Sequence, residues 1–127
     1  MATGPDALVR TFFETYAGGD VAGAAAFLAE DVTGYVTNAD AGADEVHGRD
    51  AYLARVPDLH AVGGRLTVTQ VLAVDDQLVL AMVEIQAELE GKVLHNFAGF
   101  LARVVDEQIV RLWMVDGRPA YSDEFWS

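Results

Sequence analysis

Gln77-Leu-Val-Leu-Ala-Met-Val-Glu-Ile-Gln-Ala-Glu-Leu89, followed by Glu90-Gly91 and by Lys92-Val-Leu-His-Asn-Phe-Ala-Gly-Phe-Leu-Ala-Arg-Val104, is the stretch that decides the fold. In its first half the odd positions Val79, Ala81, Val83, Ile85, Ala87 and Leu89 are all apolar, whereas Glu84, Gln86 and Glu88 occupy even ones. A period of two marks a strand with one face turned to a core. Only Glu90-Gly91 separates it from the second run, so the two form an antiparallel hairpin. A two-residue turn sets Ile85 opposite Asn96, Val83 opposite Ala98 and Ala81 opposite Phe100. Asn96 then lies on the inner face, and His95 with Phe97 on the outer one. A three-residue turn would slip the register by one and bring Glu84 and Gln86 inward. The first register is preferred because it buries no unpaired carboxylate.

Working outward, the same period continues on both sides. Gln108–Val115 follows the turn Asp106-Glu107, and Leu66–Val74 precedes the turn Asp75-Asp76, which makes a four-strand antiparallel meander. On the last strand, simple alternation puts Leu112, Met114 and Asp116 on one face and Ile109, Arg111, Trp113 and Val115 on the other. Upstream the period changes to that of a helix. Pro5 and Asp6 suit a helix start, and Leu8, Val9, Phe12, Phe13 and Tyr16 form its apolar stripe. Gly18-Gly19 stops that helix, and Asp20 caps a second, shorter one carrying Val21 to Leu28. A short strand, Val32 to Thr37, an acidic mobile loop, Asn38 to Glu45, and a third helix, Arg49 to Val56 closed by Pro57, complete the series. The fold class is therefore α+β: three N-terminal helices packed on a curved antiparallel sheet, in one domain spanning 1–127. Such a sheet leaves a conical hollow on its concave side, a natural small-molecule site.

Composition narrows the function. Eight basic and twenty acidic side chains give a net charge of −12, which repels phosphate backbones and anionic lipid surfaces, so neither nucleic acid nor membrane is an expected partner. No apolar run reaches the ~20 residues of a bilayer span, and Met1-Ala-Thr-Gly-Pro-Asp6 lacks the features of a signal peptide. The expected location is cytoplasmic. With no cysteine there is neither a thiol nucleophile nor a zinc–thiolate site. Ser122 and Ser127, the only serines, lie in the tail outside any nucleophile elbow, and Lys92, the only lysine, sits beside a hairpin turn. His47, His60 and His95 are too widely spaced for a metal motif. No cofactor and no metal are expected; what remains is acid–base chemistry by carboxylate, histidine or tyrosine.

Several segments together carry a resemblance. The helix ending Tyr16-Ala-Gly-Gly-Asp20, the strand opening Ala29-Glu-Asp-Val32, the helix start His47-Gly-Arg-Asp-Ala51 and the closing strand Asp106-Glu-Gln-Ile-Val-Arg-Leu-Trp-Met-Val-Asp116 resemble the SnoaL-like polyketide cyclase group. This group belongs to the nuclear-transport-factor-2-like superfamily. The resemblance covers nearly the whole chain. It implies a cone-shaped α+β barrel (the cystatin-like roll) with a deep apolar pocket, commonly dimeric through the outer sheet face. Ketosteroid isomerases of that superfamily use a tyrosine, a basic Asp and a protonated Asp, which fall here on Phe12, Val36 and Ala98. All three are missing, so isomerisation by that mechanism is not expected. The carboxylate that closes the last strand of the superfamily's epoxide hydrolase resembles Asp116.

The site expected from these readings has Asp116 as a base at the cavity mouth, with Asn96 and Tyr16 positioning or stabilising a substrate oxygen. Phe12, Tyr35, Val36, Ala98, Phe100, Leu112 and Met114 would form the pocket wall. The corresponding function is a cofactor-free cyclisation, isomerisation or dehydration alpha to a carbonyl on an apolar small molecule. A non-catalytic carrier of an apolar ligand and a dimeric interaction module are the alternatives. The aromatic tail, Ser122 to Trp126, should pack on the domain or on a partner subunit.

Overall fold

A computed structural model of the chain describes residues 4–38, 40, 42–56 and 59–126, with the backbone alone at 60. Pro57, the expected end of the third helix, lies outside the described residues. The elements are α1 (Pro5–Ala17), α2 (Val21–Ala25), β1 (Leu28–Thr37), β2 (Ala43–His47), α3 (Arg49–Arg55), a single 3-10 turn (His60–Val62), β3 (Arg65–Ala73), β4 (Leu78–Leu89), β5 (Lys92–Val105), β6 (Gln108–Asp116) and α4 (Pro119–Trp126). Together they form an α+β fold with one six-stranded sheet in the order β2-β1-β6-β5-β4-β3.

The deciding hairpin has the first of the two registers: Ile85 pairs with Asn96, Val83 with Ala98 and Ala81 with Phe100. Its turn has Glu90 at φ 51° and Gly91 at φ 80°, and the β5–β6 turn has Asp106 and Glu107 at φ 51° and 63°. Positive φ at both central residues matches the right-handed twist of the flanking strands, which is why two residues suffice. The alternation then sorts the faces. Val79, Ala81 and Val83 on β4 and Ala98 and Ala102 on β5 are buried with Val9, Phe12 and Phe13 of α1. Phe97 and Val115, on the opposite face, are 48% and 67% exposed.

The second helix ends at Ala25, and Leu28, expected to belong to it, opens β1; four further features depart from the sequence expectations, each for an identifiable reason. β1 runs parallel to β6, with Gly34 opposite Leu112 and Tyr35 opposite Trp113. Tight turns dictate direction only for the strands they join, and these two are joined by most of the chain. The acidic loop ends sooner than expected, because Ala43–His47 adds to the sheet edge as β2, antiparallel to β1. A bulge at Val110 shifts the β5–β6 register, so that Arg103 pairs with Arg111 but Val104 with Ile109. Ile109 consequently joins Leu112 in the core instead of facing outward with Arg111.

The fourth departure is α4. β6 separates from β5 after Asp116 and leaves the start of β5 without a strand partner on that side. The helix fills the gap. The Tyr121 hydroxyl donates to the Val93 carbonyl (2.6 Å) and accepts from the His95 N–H (3.0 Å), taking the place of a neighbouring strand's backbone. Phe125 is 2% exposed, in a small second core with Leu59, Ala87 and Leu94. The tail thus packs on its own domain.

Candidate active site

Two connected spaces lie between the helices and the sheet. The inner chamber measures about 90 Å³ and is overwhelmingly apolar, with Phe12, Phe13, Phe100, Leu94, Ile85 and Trp126 in its wall. Its polar lining consists of Tyr16, Tyr52, Asn96, Asp116 and Ser122. An outer vestibule of about 680 Å³ is lined by Val36, Asn38, Asp40, Asp44, Arg55 and Asp123 among others. Val56, Met114, Asp116, Ser122 and Trp126 line both spaces and therefore form the neck between them.

Asp116 reaches the neck because β6 ends there. Its backbone N–H donates to Thr37 Oγ1 (3.0 Å), and that hydroxyl donates to the Met114 carbonyl (2.9 Å), which ties the ends of β1 and β6 together. The carboxylate is held through one oxygen. Oδ1 accepts from Asn96 Nδ2 at 2.7 Å and from the Arg118 N–H at 2.8 Å. Oδ2 makes no hydrogen bond or ion pair among the described residues, so it is the oxygen open to an occupant. Asn96 is 4% exposed, and its own Oδ1 accepts from the Phe97 N–H at 2.9 Å. Both ends of its amide are thus engaged within the protein, and the group it orients is the carboxylate.

Tyr52 is the residue that sequence reading missed. It projects from α3, is 4% exposed and lines the inner chamber. Its ring lies flat against β1 at Gly34, where a Cβ would come within 2.3 Å of Cδ1, so only glycine leaves room for it. The hydroxyl makes no hydrogen bond to another described residue, and it belongs to the polar lining of the chamber. Burial, and secondarily the neighbouring Tyr16, push this phenol well above the usual tyrosine range, so it remains a proton donor. The signal was present in the apolar face Tyr52, Leu53 and Val56 of a short helix, but nothing local distinguishes a cavity tyrosine from a core one.

The remaining expected residues divide. Tyr16, Phe12, Phe100 and Met114 line the inner chamber with Asn96 and Asp116. Val36 lines the vestibule. Tyr35 does not belong to the cavity: it stacks on Trp113 (5.6 Å between centroids, 4° between planes), its partner across the β1–β6 pairing. Ala98 and Leu112 are also corrected. They face inward but are 2% and 0% exposed and closed into the core, since a short side chain and one beneath the helices do not reach the hollow. His95 lies on the outer face, paired through Nε2 with Glu84. Among the described residues no three His, Asp or Glu side chains are grouped to hold a metal ion, and no helix is long and apolar enough to cross a membrane.

Comparison with known proteins places this geometry. A family model described as a SnoaL-like domain matches residues 9–112. The uncharacterized protein Rv0034 of Mycobacterium tuberculosis is 34% identical over 123 residues, covering 94% of each chain. Among solved structures, Bal32a from a soil-derived mobile gene cassette superposes with a TM-score of 0.83 at 20% identity, covering 94% of both chains. A candidate polyketide cyclase of Xanthomonas campestris superposes with a TM-score of 0.68 at 22% identity, covering 85% of this chain and 86% of that one. The two structural neighbours are similar to this chain in fold.

Proposed function

Because the chain belongs to the SnoaL-like domain family, we propose that it is a cofactor-free enzyme that moves a proton at the carbon next to a carbonyl of a small, mostly apolar molecule. Cyclisation, isomerisation and dehydration all begin with that step. One observation carries the reading: a carboxylate with a single open oxygen and a phenol that makes no hydrogen bond among the described residues line the same apolar chamber. Asp116 Oδ2 takes the proton from carbon, and the Tyr52 hydroxyl donates a hydrogen bond to the oxygen on which negative charge develops. In isomerisation Asp116 returns the proton to carbon; in dehydration it passes the proton to the hydroxyl that leaves as water, and in cyclisation to the alkoxide formed when the new carbon–carbon bond closes. Asn96 is a positioning residue that fixes the carboxylate, and Tyr16 supports Tyr52 from α1. The low-polarity wall strengthens each of these interactions relative to water.

The carrier reading has its own support in the apolar inner chamber, which suits a bound ligand whether or not chemistry follows. Deuterium exchange separates the two readings without knowledge of the natural substrate. In deuterium oxide, the protein should accelerate α-proton exchange of small cyclic ketones, followed by NMR. Asp116→Asn should lower the rate about 10²–10⁴-fold and Tyr52→Phe about 10²-fold, each with ketone affinity within a few fold. Binding with no acceleration in the unmodified protein would leave the carrier reading standing and remove the catalytic one. We also propose a homodimer formed through the outer sheet face, where Phe97 and Val115 are exposed beside Leu80 and Trp113.

A further inference from the structure

The polar groups of the hollow lie at two depths. Tyr16 and Tyr52 line the inner chamber alone, whereas Asp116 and Ser122 line both the chamber and the vestibule. The phenols are therefore deeper than the neck, and the carboxylate and the Ser122 hydroxyl are at it, where Val56, Met114 and Trp126 complete the ring. Ser122 comes from α4, one residue after Tyr121, whose hydroxyl is bonded to the β5 backbone at Val93 and His95. Its backbone N–H continues the helix, donating to the Arg118 carbonyl at 3.0 Å. Its hydroxyl makes no hydrogen bond among the described residues. A serine inside a helix ordinarily points to bulk water or bonds back to the carbonyl four residues earlier; this one lines the neck. Chamber size decides which part of an occupant reaches it. A water's share of liquid volume is about 30 Å³, so a chamber of about 90 Å³ admits only a short fragment. A carbonyl, one flanking methyl and the α-carbon fill it, and the β-carbon then lies at the neck.

We infer that Ser122 is a specificity-determining residue and that the reacting part of the substrate is a β-hydroxy ketone. This rests on the reading in which Asp116 takes an α-proton, and adds the second oxygen that the substrate carries. With the carbonyl oxygen at Tyr52 and the α-carbon against Asp116, the group on the β-carbon meets Ser122. A hydroxyl suits that position. It accepts from the Ser122 hydroxyl and still has a proton to turn toward the carboxylate. A second carbonyl offers acceptors alone and would set its oxygen against the Asp116 charge. An ammonium would pair with the carboxylate, lower its pKa and weaken it as a base. A methyl would exclude water from Ser122 and give its hydroxyl no partner in exchange.

Two unbranched ketones of equal size test this: 4-hydroxy-2-butanone and 2-pentanone, which differ only in a hydroxyl against a methyl on the β-carbon. NMR titration gives the affinity of each, and deuterium exchange at the α-methylene gives the rate. The hydroxy ketone should bind about tenfold tighter, the worth of one or two net hydrogen bonds. The difference should appear in KM for exchange, with kcat, corrected for each ketone's rate in buffer, within a few fold. In Ser122→Ala the affinity ratio should fall to near one, and Ser122→Thr, which keeps a hydroxyl, should restore most of it. Equal affinities in the unmodified protein overturn the inference. So does a ratio that survives Ser122→Ala, including one that survives because both affinities fall alike, which marks a structural role. If the ratio depends on Ser122 but neither ketone exchanges faster than in buffer, the catalytic reading falls alone and Ser122 selects a carried ligand. If neither ketone binds, the ligand-site reading falls and the inference with it.

Discussion

At the scale of single residues, the site depends on an absence at Gly34. The Tyr52 ring occupies the volume that a side chain on β1 would need, so Gly34→Ala forces either the ring or the strand to move. Overpacking of this kind costs about 1–3 kcal/mol. The cost should be mostly removed in a Tyr52→Ala background, and a double-mutant cycle of thermal stability would show it. A second expectation follows from the elevated phenol pKa. The ordinary value is about 10 in the unfolded chain, and the folded chain holds the Tyr52 proton more tightly. Stability from this group is therefore complete below about pH 10 and declines as pH rises beyond it. Phenolate absorbance in a pH titration should show a late component that disappears in Tyr52→Phe. Asn96 illustrates how far sequence could go: hairpin register placed it on the inner face. That its amide is engaged by Asp116 and the Phe97 N–H depends on where β6 ends, which no local pattern encodes.

At the scale of elements, α4 substitutes for a missing strand. Its Tyr121 hydroxyl satisfies two backbone groups of β5, the Arg118 guanidinium lies 4.4 Å over the same ring, and Lys92 Nζ donates to the Glu124 carbonyl at 3.2 Å. Tyr121→Phe keeps the ring and removes both hydroxyl bonds. It should lower stability by about 1 kcal/mol, a fall of several degrees in Tm, and loosen a helix that contributes Ser122 and Trp126 to the chamber. Hydrogen exchange at His95 should rise in that variant; unchanged protection would mean the hydroxyl is dispensable. The strands of the meander were legible because alternation and two-residue turns are local properties. β2, α4 and the parallel β1–β6 pairing were not, because each is created by a distant partner: an open sheet edge, a strand that ends early, and a neighbour some eighty positions away. The bulge at Val110 belongs with them, since a single extra residue leaves the apolar pattern intact while exchanging the faces.

At the scale of the whole molecule, the sheet separates two environments. One face holds the core and the chambers; the other presents Leu80, Met82, Phe97, Leu101, Trp113 and Val115 around a shallow apolar depression. If that face joins two copies, Phe97→Glu/Val115→Glu should yield a monomer by sedimentation velocity while α-proton exchange of a small cyclic ketone is retained. A variant that still sediments as the unmodified protein does would remove the outer face from the assembly. The chain contains two tryptophans, and the fold has put one on each side of this division: Trp126 at the neck and Trp113 stacked on Tyr35 outside. Their indoles consequently form a pair of independent optical gauges. Filling the hollow should alter the emission of one, joining two copies should alter the other, and a soluble quencher applied during either event would show which had occurred.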